Sequence, residues 1–247
     1  MRRLLAGALA VVVVALAPQV QATETKPLAG RTIAIDPGHQ LGNANPEFAR
    51  QLAQKRFNGS IVKPCNTTGT ATNAGLPEAT FNWRVANDLK RRLEDAGATV
   101  LFTRTTNSRD AYGPCIWDRP KVANRAKADV LISIHADGAA PSGRGFHVIA
   151  PKRIDGWTDD IATPSRALAR DVITGLRGAG LPATTYLASA LSIRGDESTL
   201  NFSDVPAVMV ELGNMRNHAD ARRMSSAKGR AAYADGLAAG ITRYLAR

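Results

Sequence analysis

The stretch Val130-Leu131-Ile132-Ser133-Ile134-His135 decides the fold class. It is an almost unbroken apolar run of strand length that ends on a histidine. Such a run is expected of a strand buried on both faces, as in a parallel sheet covered by helices. Two other runs share the design. Arg31 to Ile35 leads into Asp36-Pro37-Gly38-His39, and Ala207 to Val210 leads into Glu211. Each therefore carries a polar, chemically capable side chain just past its apolar part. In open α/β sheets that carboxyl edge is where ligands bind.

Working outward, the runs alternate with helical patterns. Phe81, Val85, Leu89 and Leu93 recur every four residues and give one apolar face. Pro77 and Glu78 suit the start of that helix, and Gly97 its end. Thr99 to Thr103 reads as a further strand. Asp118 to Ala128 reads as a short helix with Asp118 as its cap. Gly145 to Ala150 reads as a strand, Ser165 to Leu176 as a helix, and Gly229 to Arg247 as a closing helix. Tyr186 to Ile193 fits strand or coil equally. Residues 40–77 lack either periodicity and are rich in Gly, Pro and Asn. So long a connection inside a compact domain is usually functional or mobile. The expected fold is α/β: a single domain, a mostly parallel twisted sheet, and helices on both faces.

The division expected along the chain is 1–22 as a signal peptide, 23–30 as a linker and 31–247 as the folded domain. Arg2 and Arg3 precede an apolar stretch from Leu4 to Ala17, and Val20-Gln21-Ala22 reads as a small-residue cleavage site. The apolar stretch falls short of the roughly 20 residues a spanning helix needs. The mature chain is therefore expected outside the cytoplasm, in periplasm, cell wall or medium, without stable membrane insertion, and as a monomer. Setting Arg2 and Arg3 aside leaves 30 basic against 21 acidic residues, a formal charge of +9. That balance favours polyanionic surroundings. Aromatic residues make up only 5% of the chain and the cations are dispersed, so no stacking platform for nucleic acid is present. An exported chain meets an oxidising compartment, so its two cysteines, Cys65 and Cys115, are expected to pair. The alternative, a cysteine zinc site, lacks any Cys-x-x-Cys spacing.

His39, Glu78, His135 and Glu211 form the candidate site. Two histidines with one glutamate suit a catalytic zinc that keeps an open position, and a second glutamate suits its base. A carboxylate directly after Val208-Met209-Val210 would be costly to bury without a partner. His147, inside a strand, reads as a packed or surface histidine. His218, in a polar turn, reads as solvated.

The ordered set resembles the zinc-dependent N-acetylmuramoyl-L-alanine amidases of the type 3 amidase family, over about residues 31–245. The matching elements are Asp36-Pro37-Gly38-His39, Glu78 at a helix start, Ser133-Ile134-His135-Ala136 and Val210-Glu211-Leu212-Gly213. Thr103-Arg104, Arg119, Ala123-Asn124 and Ala128-Asp129 also match. The resemblance implies that His39, Glu78 and His135 hold one Zn²⁺. It implies that Glu211 is the general base for water attacking the lactyl amide of peptidoglycan or its muropeptide fragments. Glu211 would then return the proton to the L-alanine nitrogen. Asp36 is expected to orient His39 or to cap the Pro-Gly turn. The chain departs from the family pattern at Gln40-Leu41-Gly42, Asp137 and Asn214, positions expected on the rim of the cleft. A zinc hydrolase of another amide, and a non-catalytic wall-binding protein on the same scaffold, are the competing readings.

Overall fold

The computed structural model describes residues 26–247, so the expected leader lies outside the described residues. The elements in chain order are β1 (Thr32–Pro37), α1 (Ala49–Leu52), β2 (Lys55–Phe57), β3 (Val62–Pro64), α2 (Glu78–Asp95), β4 (Thr99–Phe102), α3 (Lys121–Ala126), β5 (Val130–Asp137), β6 (His147–Pro151), α4 (Ala162–Gly178), β7 (Leu191–Arg194), α5 (Ser198–Asn201), β8 (Ala207–Asn214), α6 (His218–Ser225) and α7 (Ala227–Leu245). Six strands form one sheet in the order β4-β1-β5-β8-β6-β7, and β2 with β3 forms a small hairpin. The first four of those six are mutually parallel. β6 runs antiparallel to β8, and β7 runs parallel to β6. The expected mostly parallel α/β domain is thus the observed one.

Helices cover both faces, but unequally. α2, α4 and α7 pack on one side with Ile33, Ile35, Ile132, Ile134, Val208 and Val210. On α2 the stripe Phe81, Val85, Leu89 and Leu93 is fully buried there. Each such side chain contributes roughly 1.5–3 kcal/mol of transfer free energy. The opposite face is covered only by the short α3 and α5, around Ala34, Leu131, Ile149, Ala207 and Met209. Strand alternation therefore points Asp36, Ser133, His135, Glu211 and His147 toward the thinly covered side. Because α3 and α5 reach only part of that face, the carboxyl ends of the central strands are left open for a cleft.

Several boundaries differ from the sequence reading, each for a local reason. Residues 26–30, expected as linker, are docked: Leu28 is fully buried and its N–H donates to Ala96 O at 2.9 Å. β5 and β8 run past their apolar runs to Asp137 and Asn214, because ladder pairing continues there across a bulge. The short helix starts at Lys121, not Asp118, since a turn over residues 116–120 and Pro120 precede it. Helix α6 went unread because its sequence is polar; only Asp220 and Met224 are buried. The β2–β3 hairpin is short and exposed, so it shows no alternation. Its one readable signal is the turn dipeptide Asn58-Gly59. There the Asn58 side chain accepts from Ser60 N and Ile61 N.

The long 40–77 segment is ordered by a disulfide and by asparagines. Cys65 and Cys115 are bonded, as expected. Asn43 donates to Thr67 O at 2.7 Å and accepts from Gly113 N at 2.8 Å. Asn66 donates to Pro114 O at 2.9 Å. The segment and the 104–117 loop are thereby fastened to each other beside the sheet edge.

Candidate metal centre

The Asp36-Pro37-Gly38-His39 run turns sharply off the end of β1. His39 sits at φ 59°, a left-handed conformation that is uncommon for a residue with a side chain. Two buried arginines hold this turn through its carbonyls. Arg104 donates to Pro37 O at 2.8 Å. Arg119 donates to Pro37 O at 3.0 Å and to His39 O at 2.9 Å. Gly38 passes so close to the neighbouring strand that a Cβ on it would lie 2.3 Å from the His135 ring. A bare backbone there is what lets the two histidines approach; their ring centres lie 4.9 Å apart.

His39 Nδ1 faces Thr67 O at 3.0 Å. A carbonyl oxygen only accepts, so the ring proton belongs on Nδ1 and the Nε2 lone pair is left free. That Nε2 lies 3.2 Å from Glu78 Oε2. Glu78 opens α2 from the thickly covered side and reaches over the strand edge. Its Oε1 lies 3.1 Å from His135 Nδ1 and accepts from Ala136 N at 3.1 Å. Its Oε2 accepts from Thr70 N at 3.0 Å. A Cβ on Gly69, whose φ is +75°, would meet Glu78 Oε2 at 2.6 Å. Burial alone would raise the Glu78 carboxyl, but the two histidines hold it well below the usual range. Burial likewise pushes His39 down, and Glu78 more than offsets this and pulls it up.

One ligand atom from each of His39, Glu78 and His135 falls within 4.8 Å of the others, a spacing that fits a single metal ion. Two nitrogens and one oxygen form a donor set suited to a borderline divalent cation. Glu211 stands beside this set, in direct register with His135 on the adjacent strand. Its Oε2 is buried and has no protein partner. Burial and then the neighbouring carboxylates Glu78, Asp137 and Glu197 raise its pKa well above the usual range, against the pull of Arg194. A carboxylate with elevated basicity beside a three-ligand cluster has the character of a proton acceptor. A cavity of about 250 Å³ opens on the group, lined by His39, Thr67, His135 and Glu211 with Lys63 and Ser198. The 40–77 segment, which supplies Lys63 and Thr67, forms one wall.

Asp36 does not reach the His39 side chain, so direct orientation of that ring is corrected. Its carboxylate accepts from Arg119 Nη1 at 2.7 Å, from Ser133 Oγ at 2.6 Å and from Thr103 Oγ1. Full burial would raise it, yet Arg119, Ser133 and Thr103 together bring it down to about 2. Its link to His39 runs through Arg119 to the main chain. The departures from the family pattern are also not simply rim changes. Gln40 is buried and accepts from Arg104 at 3.1 Å. Asn214 is fully buried and fastens the loop between β5 and β6 by donating to Ala140 O and Gly143 O, both at 2.8 Å. Asp137 accepts from the Tyr186 hydroxyl at 3.0 Å. His218 is exposed, and His147 is packed inside, 3% exposed. Thr67, Thr70 and Gly69 went unread as site residues, because they lie in a loop without periodicity.

Comparison with known proteins agrees with this geometry. The model of the N-acetylmuramoyl-L-alanine amidase family matches residues 33–243. An N-acetylmuramoyl-L-alanine amidase of Mycobacterium tuberculosis is 36% identical over 241 residues, 96% of each chain. The crystal structure of the amidase Ami1 from Mycobacterium smegmatis superimposes with a TM-score of 0.81 at 34% identity, over 88% of this chain and 98% of that one. The apo form of Ami1 from Mycobacterium abscessus does so with the same TM-score at 35% identity, over 88% and 100%. The chain belongs to the N-acetylmuramoyl-L-alanine amidase family.

Proposed function

We propose that this amidase-family chain hydrolyses the amide bond between the lactyl group of N-acetylmuramic acid and L-alanine in peptidoglycan or its fragments. The observation that carries the reading is the convergence of His39, Glu78 and His135 within 4.8 Å, beside Glu211, on an open cleft. Those three residues would hold Zn²⁺. When bound, the ion supplies a Lewis acid for the amide carbonyl and acidifies water at the site. Glu211 takes the proton from the attacking water and delivers it to the departing L-alanine nitrogen. The products are a glycan with a free lactyl carboxylate and a free stem peptide. Thr67 holds the His39 tautomer that leaves Nε2 available, and Arg104 and Arg119 hold the strained turn that presents it.

The formal charge of +9 after loss of the leader suits an anionic wall polymer. Export through that leader would place the enzyme in the periplasm, cell wall or medium. Among the described residues no helix is long and apolar enough to cross a membrane.

Digestion of a defined muropeptide, with and without chelator and followed by mass spectrometry, tests the reading. Release of the intact stem peptide, abolished by chelator and restored by zinc, is expected. Zinc binding with no muropeptide cleavage would refute it. Cleavage confined to small acylated amino acids would reassign the substrate. Glu211→Ala should keep the zinc while losing roughly 10²–10⁴-fold in kcat, the usual worth of a positioned base.

A further inference from the structure

His147 is the one buried histidine, among the described residues, that the metal centre leaves unused. It lies on β6 in direct register with Glu211 on the antiparallel neighbour β8. Glu211 in turn is in register with His135 on β5. Ile149 and Met209, each two residues away along its strand, pack on the thinly covered face, whereas Val148 and Val210 pack on the other. His135, Glu211 and His147 therefore form one row across three strands, all pointing to the cleft side. Directly opposed residues of an antiparallel pair hold their Cβ atoms roughly 4.5–5.5 Å apart; His147 Nδ1 and Glu211 Oε2 are not bonded to each other, so the span between them is one for a bridging water.

Two buried polar atoms in this row have no protein partner, Glu211 Oε2 and His147 Nδ1. Each alone would be an unexplained cost, because buried polar groups are nearly always bonded. Together they are complementary: one accepts, and the other donates when the ring proton is on Nδ1. The ring is also held in place. Tyr186 meets it edge-on with centres 6.0 Å apart, and its hydroxyl is fixed on Asp137. Burial disfavours the charged imidazole and outweighs Asp137, with Arg194 acting in the same sense as burial, so the ring is kept as a neutral donor.

We propose that His147 is a positioning residue for Glu211, its Nδ1–H reaching Oε2 through one bridging water. That bridge fixes the carboxylate plane and leaves Oε1 to exchange the proton with water and the leaving nitrogen. The proposal rests on the reading of Glu211 as base.

The test compares zinc-loaded native enzyme with His147→Leu and His147→Asn on a defined muropeptide, with zinc content and melting temperature recorded. Asn is chosen because its Nδ2 falls where the imidazole Nδ1 lies. His147→Leu should lose about 10- to 100-fold in kcat, the range for groups that orient a reacting residue, with KM and zinc content unchanged. His147→Asn should recover most of that loss. A leucine variant with native kcat, or a loss that asparagine does not rescue, overturns the proposal. If the leucine variant does not fold, ¹⁵N-imidazole spectra decide. The His147 Nδ1 resonance should report a bonded N–H that shifts in Glu211→Gln; an identical resonance in both proteins overturns the proposal. Native enzyme that cleaves no muropeptide yet shows this coupling would refute the substrate reading instead.

Discussion

Removing the Cys65–Cys115 bond, as in the double variant Cys65→Ser, Cys115→Ser, isolates what the cross-link does for this protein. The bonded residues are 50 apart in sequence. In the chain-entropy model a loop of that size withholds about 4 kcal/mol of freedom from the unfolded chain. The native state should change far less. Cys65 N donates to Leu52 O at 3.1 Å and Ile116 N donates to Cys65 O at 2.8 Å, whether or not the sulfurs are joined. Asn66 to Pro114 O, and Gly113 N to Asn43, bridge the same two loops. Asn43 also keeps its hold on Thr67 O, the carbonyl that sets the His39 tautomer. The expected outcome is a loss of about 4 kcal/mol in stability with zinc affinity and kcat of the folded fraction nearly native. Urea unfolding, compared with the native protein under non-reducing conditions, measures the first. With a slope near 2–3 kcal/mol/M the midpoint should fall by about 1.3–2 M. Kinetics and zinc content at low denaturant measure the second. A midpoint shift below about 0.5 M would refute the entropic argument, since the model's 4 kcal/mol could not then be acting on the unfolded chain. Full stability loss accompanied by a dead, zinc-free native state would refute the claim that asparagines and main-chain bonds hold the loops by themselves.

Three further perturbations test other parts of the account. Gly38→Ala places a Cβ 2.3 Å from the His135 ring, so it should fold but bind zinc at least tenfold more weakly, as read by competition with a chelating dye. Arg119→Met leaves the Asp36 carboxylate buried without its cation, together with the carbonyls of Pro37 and His39. It should cost about 3–5 kcal/mol in denaturant unfolding, the range for breaking one side of a buried pair. On acidification, Asp36 has a folded pKa depressed from 3.8 to about 2, so its contribution is fully present above 3.8 and is lost as pH falls toward 2. That difference corresponds to about 2 kcal/mol, and it should be absent from the acid unfolding curve of Asp36→Asn.

How much of this was legible beforehand follows from which signals are local. The runs at 130–135 and 207–211 announce themselves because a strand buried on both faces admits little but apolar residues. The residues that break the run, His135 and Glu211, then stand out against it. Glu78 was legible as a helix start and became a ligand candidate only with the others. Thr67, Thr70 and Gly69 were not legible. Their roles depend on main-chain atoms meeting His39 and Glu78 across a loop, and main-chain geometry leaves no periodic trace in side-chain type. Arg104 and Arg119 show why a matching motif residue can be noticed without its role being known. Both are nearly buried cations, which composition alone would place on the surface.

The same contrast explains the division of labour across the sheet. The face under α2, α4 and α7 is a continuous apolar layer, and the only site residue it supplies is Glu78, at the point where α2 begins. The opposite face has too few apolar residues to be closed by its two short helices. Instead it carries a row of polar side chains, from Asp36 and Ser133 through His135 and Glu211 to His147, each on a strand fixed by the layer behind it. The larger apolar layer and the chemistry thus lie on opposite faces of the same strands. A substitution such as Val210→Ala, on the apolar side, should therefore cost stability with little effect on kcat. Met209→Ala, its neighbour on the cleft side and lining the cavity, should raise KM in addition to lowering stability. Met209 is only 7% exposed and belongs to the buried cluster of that face, so its truncation costs stability too; what distinguishes it from Val210 is the effect on KM. A Val210→Ala variant with altered KM and kcat, or a Met209→Ala variant with native KM, in paired unfolding and kinetic measurements would overturn this separation.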